Sequence, residues 1–256
     1  MSRFDHIVAP EAVDGHEEAR PGPERVLSTA RTALEHGAFE AALRFYSRAL
    51  EQDRGNAEAW IGQVRALLGM GQPEEAARWL EQAAAQLGER PTLHALRALA
   101  SLQAGRLDDA RAWSDRALQS GRDDPEVWLA RAAVVYGDGQ PKMGRVNLDK
   151  AHERAPGPLG ALHAAEVALH AGDLPTARVW LDRARRADDT NPRVALGYGV
   201  YWERVGDLAQ ARQELERALA LEPRMTSARV ALEDLSNRGV WSRVASALRR
   251  WLGGEA

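Results

Sequence analysis

Apolar residues in this chain fall into short stripes that repeat along its length. Between Pro192 and Met225, Ala195, Tyr198, Gly199 and Trp202 stand at i, i+3, i+4 and i+7, the spacing of one buried helical face. Asn191 and Pro192 start that helix, because an Asn side chain accepts from the free amides of a first turn and Pro there has no N–H to leave unpaired. Gly206 permits a tight turn, and a second helix is predicted from about Leu208 to Leu221, with Ala211, Leu215 and Ala218 on its inner face. Glu222-Pro223 ends it, since Pro cannot continue the hydrogen-bond ladder. The unit is a helical hairpin.

The same hairpin recurs back to about Pro23. Turn glycines fall at Gly37, Gly71, Gly105, Gly139, Gly172 and Gly206, spaced 34, 34, 34, 33 and 34 residues. Ala42, Ala76, Ala110, Gly144, Ala177 and Ala211 keep step with them, as do Ala49, Ala83, Ala117, Ala151, Ala184 and Ala218. Small residues at these positions let helices approach closely, where a long side chain would overpack the contact at a cost of about 1–3 kcal/mol.

This pattern resembles the tetratricopeptide repeat (TPR), a helix-turn-helix unit with a large residue early, Gly at the turn and Ala in the second helix. The resemblance covers six units, at about 23–56, 57–90, 91–124, 125–157, 158–191 and 192–225, with Trp60 and Trp128 where the family favours Trp. His94, Ala161 and Ala195 depart from that Trp, Gly144 departs from Ala, and the closing Pro stands only at Pro156 and Pro223. In repeat four, the turn from Gly137 to Pro141 together with Gly144 lowers helix propensity and predicts a softer joint. The resemblance implies an all-α, right-handed superhelix. Residues 226–256 then form a degenerate seventh unit, with Leu232 and Leu235 before Gly239 and Val244, Leu248 and Trp251 after it, acting as the terminal cap a solenoid needs.

Composition narrows the function. The chain has 256 residues, 45% hydrophobic and 28% charged, enough to bury a core without disulfides or metal. The absence of cysteine excludes a thiolate site or a Cys nucleophile, and a cytoplasmic location is the default expectation. A net charge of -3 without a basic stripe leaves no electrostatic footprint for nucleic acid, and no apolar run is long enough to span a membrane. Residues 1–22 are acidic and rich in Pro and Gly, with Phe4, Ile7 and Val8 as their one apolar cluster, and read as a mobile tail.

Motifs for catalysis or phosphate binding are absent, so neither an enzyme, a cofactor nor a small-molecule substrate is expected. His163, Glu166 and His170 look metal-like at i, i+3 and i+7, but two turns, roughly 10.5 Å of rise, separate the histidines, so contact with a partner is the preferred reading. Trp79, Trp113 and Trp180, which recur at one position of second helices, are read as packing between repeats.

In arrays of this family, one side of the first helices lines a concave groove that holds a peptide or helix of another protein. The matching face here carries Leu27, Arg31 and Leu34, then Ile61, Arg65 and Leu68, then Leu99 and Leu102, then Leu129 and Tyr136. It continues with Leu162, His163, Glu166 and His170, and ends with Leu196, Val200 and Glu203. The expectation is an apolar groove, basic at one end and acidic at the other, in a non-catalytic scaffold or adaptor. The alternative is a peripheral membrane adaptor using residues 240–252, where Val240, Trp241, Val244, Leu248, Trp251 and Leu252 oppose Arg243, Arg249 and Arg250.

Overall fold

In the computed structural model, residues 22–237 are described, and within them every regular element is an α-helix. Six hairpins follow one another: α1 (Pro23–Glu35) with α2 (Phe39–Gln52), α3 (Ala57–Gly69) with α4 (Pro73–Leu87), and α5 (Pro91–Gln103) with α6 (Leu107–Ser120). After them come α7 (Pro125–Gly137) with α8 (Pro141–Arg154), α9 (Pro158–His170) with α10 (Leu174–Ala187), and α11 (Pro192–Val205) with α12 (Leu208–Leu221). A further helix starts at residue 226 and continues to the last described residue. The expectations placed on residues 1–21 and 238–256, including the acidic tail and the amphipathic final helix, lie outside the described residues.

Local chemistry explains the boundaries. Pro occupies the first turn of α1, α5, α7, α9 and α11, where its fixed φ suits a helix start. Asn56, Asp124, Asn191, Asp173 and Asp207 cap their helices by accepting from an amide of the first turn at 2.9–3.3 Å. All six turn glycines adopt positive φ, from 69° to 93°. In every hairpin the residue after that Gly donates its N–H to the carbonyl five residues earlier, as in Ala38 to Ala33 and Asp207 to Trp202, both at 2.9 Å. That bond completes a Schellman turn, which only a residue at ease in the left-handed region closes without strain.

Each first helix packs against the first helix of the next repeat, while second helices mainly touch the first helices beside them. The first helices therefore make a continuous inner layer and the second helices a splayed outer one. Ala42, Ala76, Ala110, Ala177 and Ala211 are all fully buried at the hairpin contact.

Gly144, at the same position, has a specific neighbour. A Cβ there would lie 2.5 Å from the Tyr136 ring, and α8 runs unbroken through it, so the glycine makes room for a ring.

The tryptophans also have local jobs. Trp60 and Trp128 donate from Nε1 to the carbonyls of Arg54 and Arg122 at 2.8 and 2.7 Å, tying each first helix to the loop that precedes it. Trp79 meets Trp60 within its own repeat, whereas Trp180 is buried against His152 of the preceding one.

Candidate partner-binding face

Two positions of the first helices build the inner surface. One is the ninth residue of each repeat (Arg31, Arg65, Leu99, Ala133, Glu166 and Val200), and the other is the second (Glu24, Glu58, Thr92, Glu126, Leu159 and Arg193). Between neighbouring first helices these positions meet, and opposite charges join across them. Arg31 holds Glu58 through Nη2 at 2.7 and 2.9 Å and Nε at 3.0 Å. Glu166 is gripped by Arg193 in the same way, at 2.7, 2.7 and 3.0 Å, with the signs exchanged. Arg65 finds Thr92 at the next rung, where Thr92 bonds Asp124 at 2.5 Å, and reaches past it to Glu126 of repeat four.

These pairs differ in weight. Arg31 and Glu58 are 53% and 42% exposed, and such a rim pair contributes about 0–1 kcal/mol. Glu126 and Arg193 are each only 11% exposed, so removing their partners would leave a charge poorly hydrated. Burial pushes the Glu126 carboxyl up, but Arg65 and His163 pull it below the usual carboxylate range. Burial likewise opposes ionisation of Glu166, and Arg193, with His163 and His170, outweighs it. His163 faces both pairs. Burial and Arg193 lower its pKa against the pull of Glu166 and Glu126, which favours the neutral imidazole.

Several sequence expectations change at this surface. Leu68, Leu129 and Leu162 are buried between repeats rather than offered to a partner, because a first helix packed on both sides buries more than one stripe. Leu27, Leu34, Ile61, Leu99, Leu102, Tyr136, Leu196, Val200 and Glu203 are half-buried, and the Tyr136 hydroxyl donates to Asp173 at 3.1 Å. The basic and acidic ends are internally compensated, since Arg31, Arg65 and Glu166 each carry their own counter-charge.

His163, Glu166 and His170 do not converge. The Glu166 carboxylate is taken by Arg193, and exposed His170 turns its Nδ1 back to the Glu166 carbonyl at 2.8 Å. Among the described residues, no group of three His, Cys, Asp or Glu side chains is placed to hold a metal ion.

Sequence reasoning missed Glu58, Glu126 and Arg193. The signal was available for two pairs, as the same offset of 27 residues joins Arg31 to Glu58 and Glu166 to Arg193.

A longer-range contact closes the face. The carbonyls of Leu34 and Glu35, at the end of α1, accept from Arg193 Nη1 and Asn191 Nδ2, both at 3.4 Å. A Cβ on Gly37 would stand 2.7 Å from Met225 Cε and 3.0 Å from Arg193 Cγ, so the first turn rests on the sixth repeat. Cations suit this place, since the free carbonyls of a helix C-terminus are its negative end. The array thus curls until its first repeat touches its last.

Six stacked helical hairpins with a continuous inner layer define an α-solenoid. Tetratricopeptide repeat profiles match residues 33–100 and, separately, 91–116, 158–183 and 192–217, together just over half of the chain. The chain belongs to the tetratricopeptide repeat family. Among solved structures it is similar to a tetratricopeptide repeat protein from Parabacteroides merdae, with TM-score 0.54 and 14% identity, over 86% of this chain and 87% of that one. It is also similar to a chain of the APC/C hetero-tetramer Cut9-Hcn1 (TM-score 0.49, 15% identity, 85% of this chain) and to yeast Tom70 (0.49, 15%, 93%). It spans 43% and 51% of the lengths of those two chains. No curated protein sequence matches it.

Proposed function

We propose that the chain is a non-catalytic protein-interaction scaffold whose inner face holds a segment of another polypeptide. The observation that carries this reading is the ladder of counter-charged pairs on the inner helices, with Arg31 and Arg65 as cations early in the array and Glu166 as an anion late in it. Six hairpins sharing one inner layer put these groups on one continuous surface. A segment with acidic side chains towards repeats one and two and basic ones towards repeat five would add its own bonds at the solvent-facing edges of Arg31, Arg65 and Glu166, leaving the nearly buried Glu126 and Arg193 paired. Half-buried Ile61, Leu99 and Val200 supply apolar contacts between them. The expected ligand is therefore an amphiphilic segment of mixed charge.

Photo-crosslinking tests this reading. A photoreactive residue in place of Leu99 or Val200, with the full chain expressed in its native host, is expected to capture a discrete polypeptide. The same residue at exposed Glu74 on α4 should not. Arg31→Glu, a change at the exposed rim pair, should reduce capture. Crosslinking that is equal at all three positions, or that is unaltered by Arg31→Glu, would move the partner off the inner face. No helix among the described residues is long and apolar enough to cross a membrane.

A further inference from the structure

The second helices of repeats four and five differ from the rest. In α8, four cations (Lys142, Arg145, Lys150 and Arg154) face two carboxylates, and in α10 four (Arg178, Arg183, Arg185 and Arg186) face one. The other second helices are balanced or acidic, such as α4 with Arg78 against Glu74, Glu75 and Glu81. Both lysines of the chain are on α8, in a protein whose net charge is -3.

Part of this charge is used internally. Arg178 pairs with Asp182, Arg185 with Glu214 and Arg145 with Asp173, while Arg154 donates to the Arg122 carbonyl. Among the described residues, Lys142, Lys150, Arg183 and Arg186 have no carboxylate within ion-pair distance. Lys150 lies over the Trp128 ring and Arg183 over Trp180, each at 4.4 Å.

The same helices expose apolar side chains. Met143, Val146 and Val179 are 50%, 43% and 50% exposed. Val146 and Val179 share a repeat position that carries Arg44 and Arg78 in repeats one and two, and Met143 stands where repeats two and three have Glu75 and Asp109. A single exposed Val is ordinary, but Val146 and Val179 are both exposed at a position that carries Arg in repeats one and two. Between α8 and α10 a shallow cleft of about 280 Å³ opens, with Pro175, Val179 and Trp180 as apolar lining, Arg145 and Arg183 at its sides, and Asp149 among them.

We propose that this outer face of repeats four and five is a second docking surface, separate from the inner face, for an acidic amphipathic helix of a protein partner. Apolar residues at every third or fourth position of that helix enter the cleft and cover Val146 and Val179. Its flanking carboxylates meet Lys142, Lys150, Arg183 and Arg186. A bilayer fits less well, because a concave cleft containing the Asp149 carboxylate opposes a flat anionic surface.

The probes are a synthetic helical peptide with Leu at i, i+3, i+4 and i+7 and Glu elsewhere, the same peptide with Lys for Glu, and anionic phospholipid vesicles, each added to the full chain. Anisotropy is expected to report binding of the Glu peptide, weakened by salt, with no binding of the Lys peptide. Val179→Asp and the pair Lys142→Glu with Arg183→Glu should each raise Kd by about tenfold or more, the equivalent of ~1.4 kcal/mol. Arg44→Glu, the same type of change on α2, should leave it unaltered, and circular dichroism checks that each variant is folded. Hydrogen exchange should show protection on α8 and α10. Absence of Glu-peptide binding, equal binding of the Lys peptide, vesicle binding without peptide binding, or protection confined to the first helices would each overturn the proposal. Since Arg31→Glu alters only an exposed pair of repeats one and two and leaves this face untouched, failure here and failure of the inner-face reading are distinguishable.

Discussion

His163, with Glu126 and Glu166 beside it, ties the stability of this chain to pH. In the folded chain burial lowers the pKa of His163, and burial does the same to His94 and His152. An unfolded His binds its proton near pH 6.5, so the folded state loses stability as pH falls below about that value. Their contribution is fully present above it. The carboxylates act at lower pH: with their folded pKa depressed, Glu126 and Glu166 stabilise the fold above about 4.3 and lose that contribution as pH falls through the folded value. Urea unfolding is therefore expected to show stability falling between pH 7 and pH 5 and falling again below about pH 4. His163→Gln should lessen the first decline, leaving the share of His94 and His152, and should slightly reduce the second, because His163 helps hold the Glu126 and Glu166 carboxyls down; a wild-type curve flat from pH 7 to 5 would refute the histidine assignment. From the sequence, His163 could be placed on the inner helices, but its position between two ion pairs from four repeats could not be read.

Helix α8 shows how an element departs from its propensity. Ala is the better helix former by about 1 kcal/mol, and in five of the six repeats Ala occupies the site that Gly144 holds here. Replacing Gly144 by Ala should nonetheless destabilise the chain by about 1–3 kcal/mol, because the new methyl would displace the Tyr136 ring and strain its bond to Asp173. In a Tyr136→Ala background the same replacement should become neutral or stabilising. Equilibrium unfolding of the four chains in this cycle measures the coupling, and additive effects would show that ring and glycine do not interact. The helix boundaries were legible, since Pro, Asn, Asp and Gly act within a turn of where they stand. The reason for Gly144 was not legible, because its ring partner belongs to the preceding helix and periodicity describes only one helix at a time.

At the scale of the molecule, curvature brings the first turn onto the sixth repeat. The contact is small: two hydrogen bonds from Asn191 and Arg193 to α1 carbonyls, and Met225 against Gly37. Because the chain has no cysteine, a pair introduced at His36 and Arg224 can be spin-labelled without background. Dipolar spectroscopy is expected to give one short, narrow distance that lengthens and broadens when Asn191 and Arg193 are both changed to Ala. A broad distribution in the unaltered background would mean that the array does not close.

The sequence by itself determined the hairpins, their number and register among the described residues, and the small residues where helices touch. Each depends on contacts within a turn or on a regular repeat. Tertiary structure alone decided which leucines of the inner helices are core, that Arg65 reaches past one repeat to Glu126, that residues 156 and 159 positions apart meet at the closure, and that repeats four and five expose a basic and apolar outer face. These depend on how small rotations between repeats accumulate along the inner layer, and that sum is set by packing across the whole array.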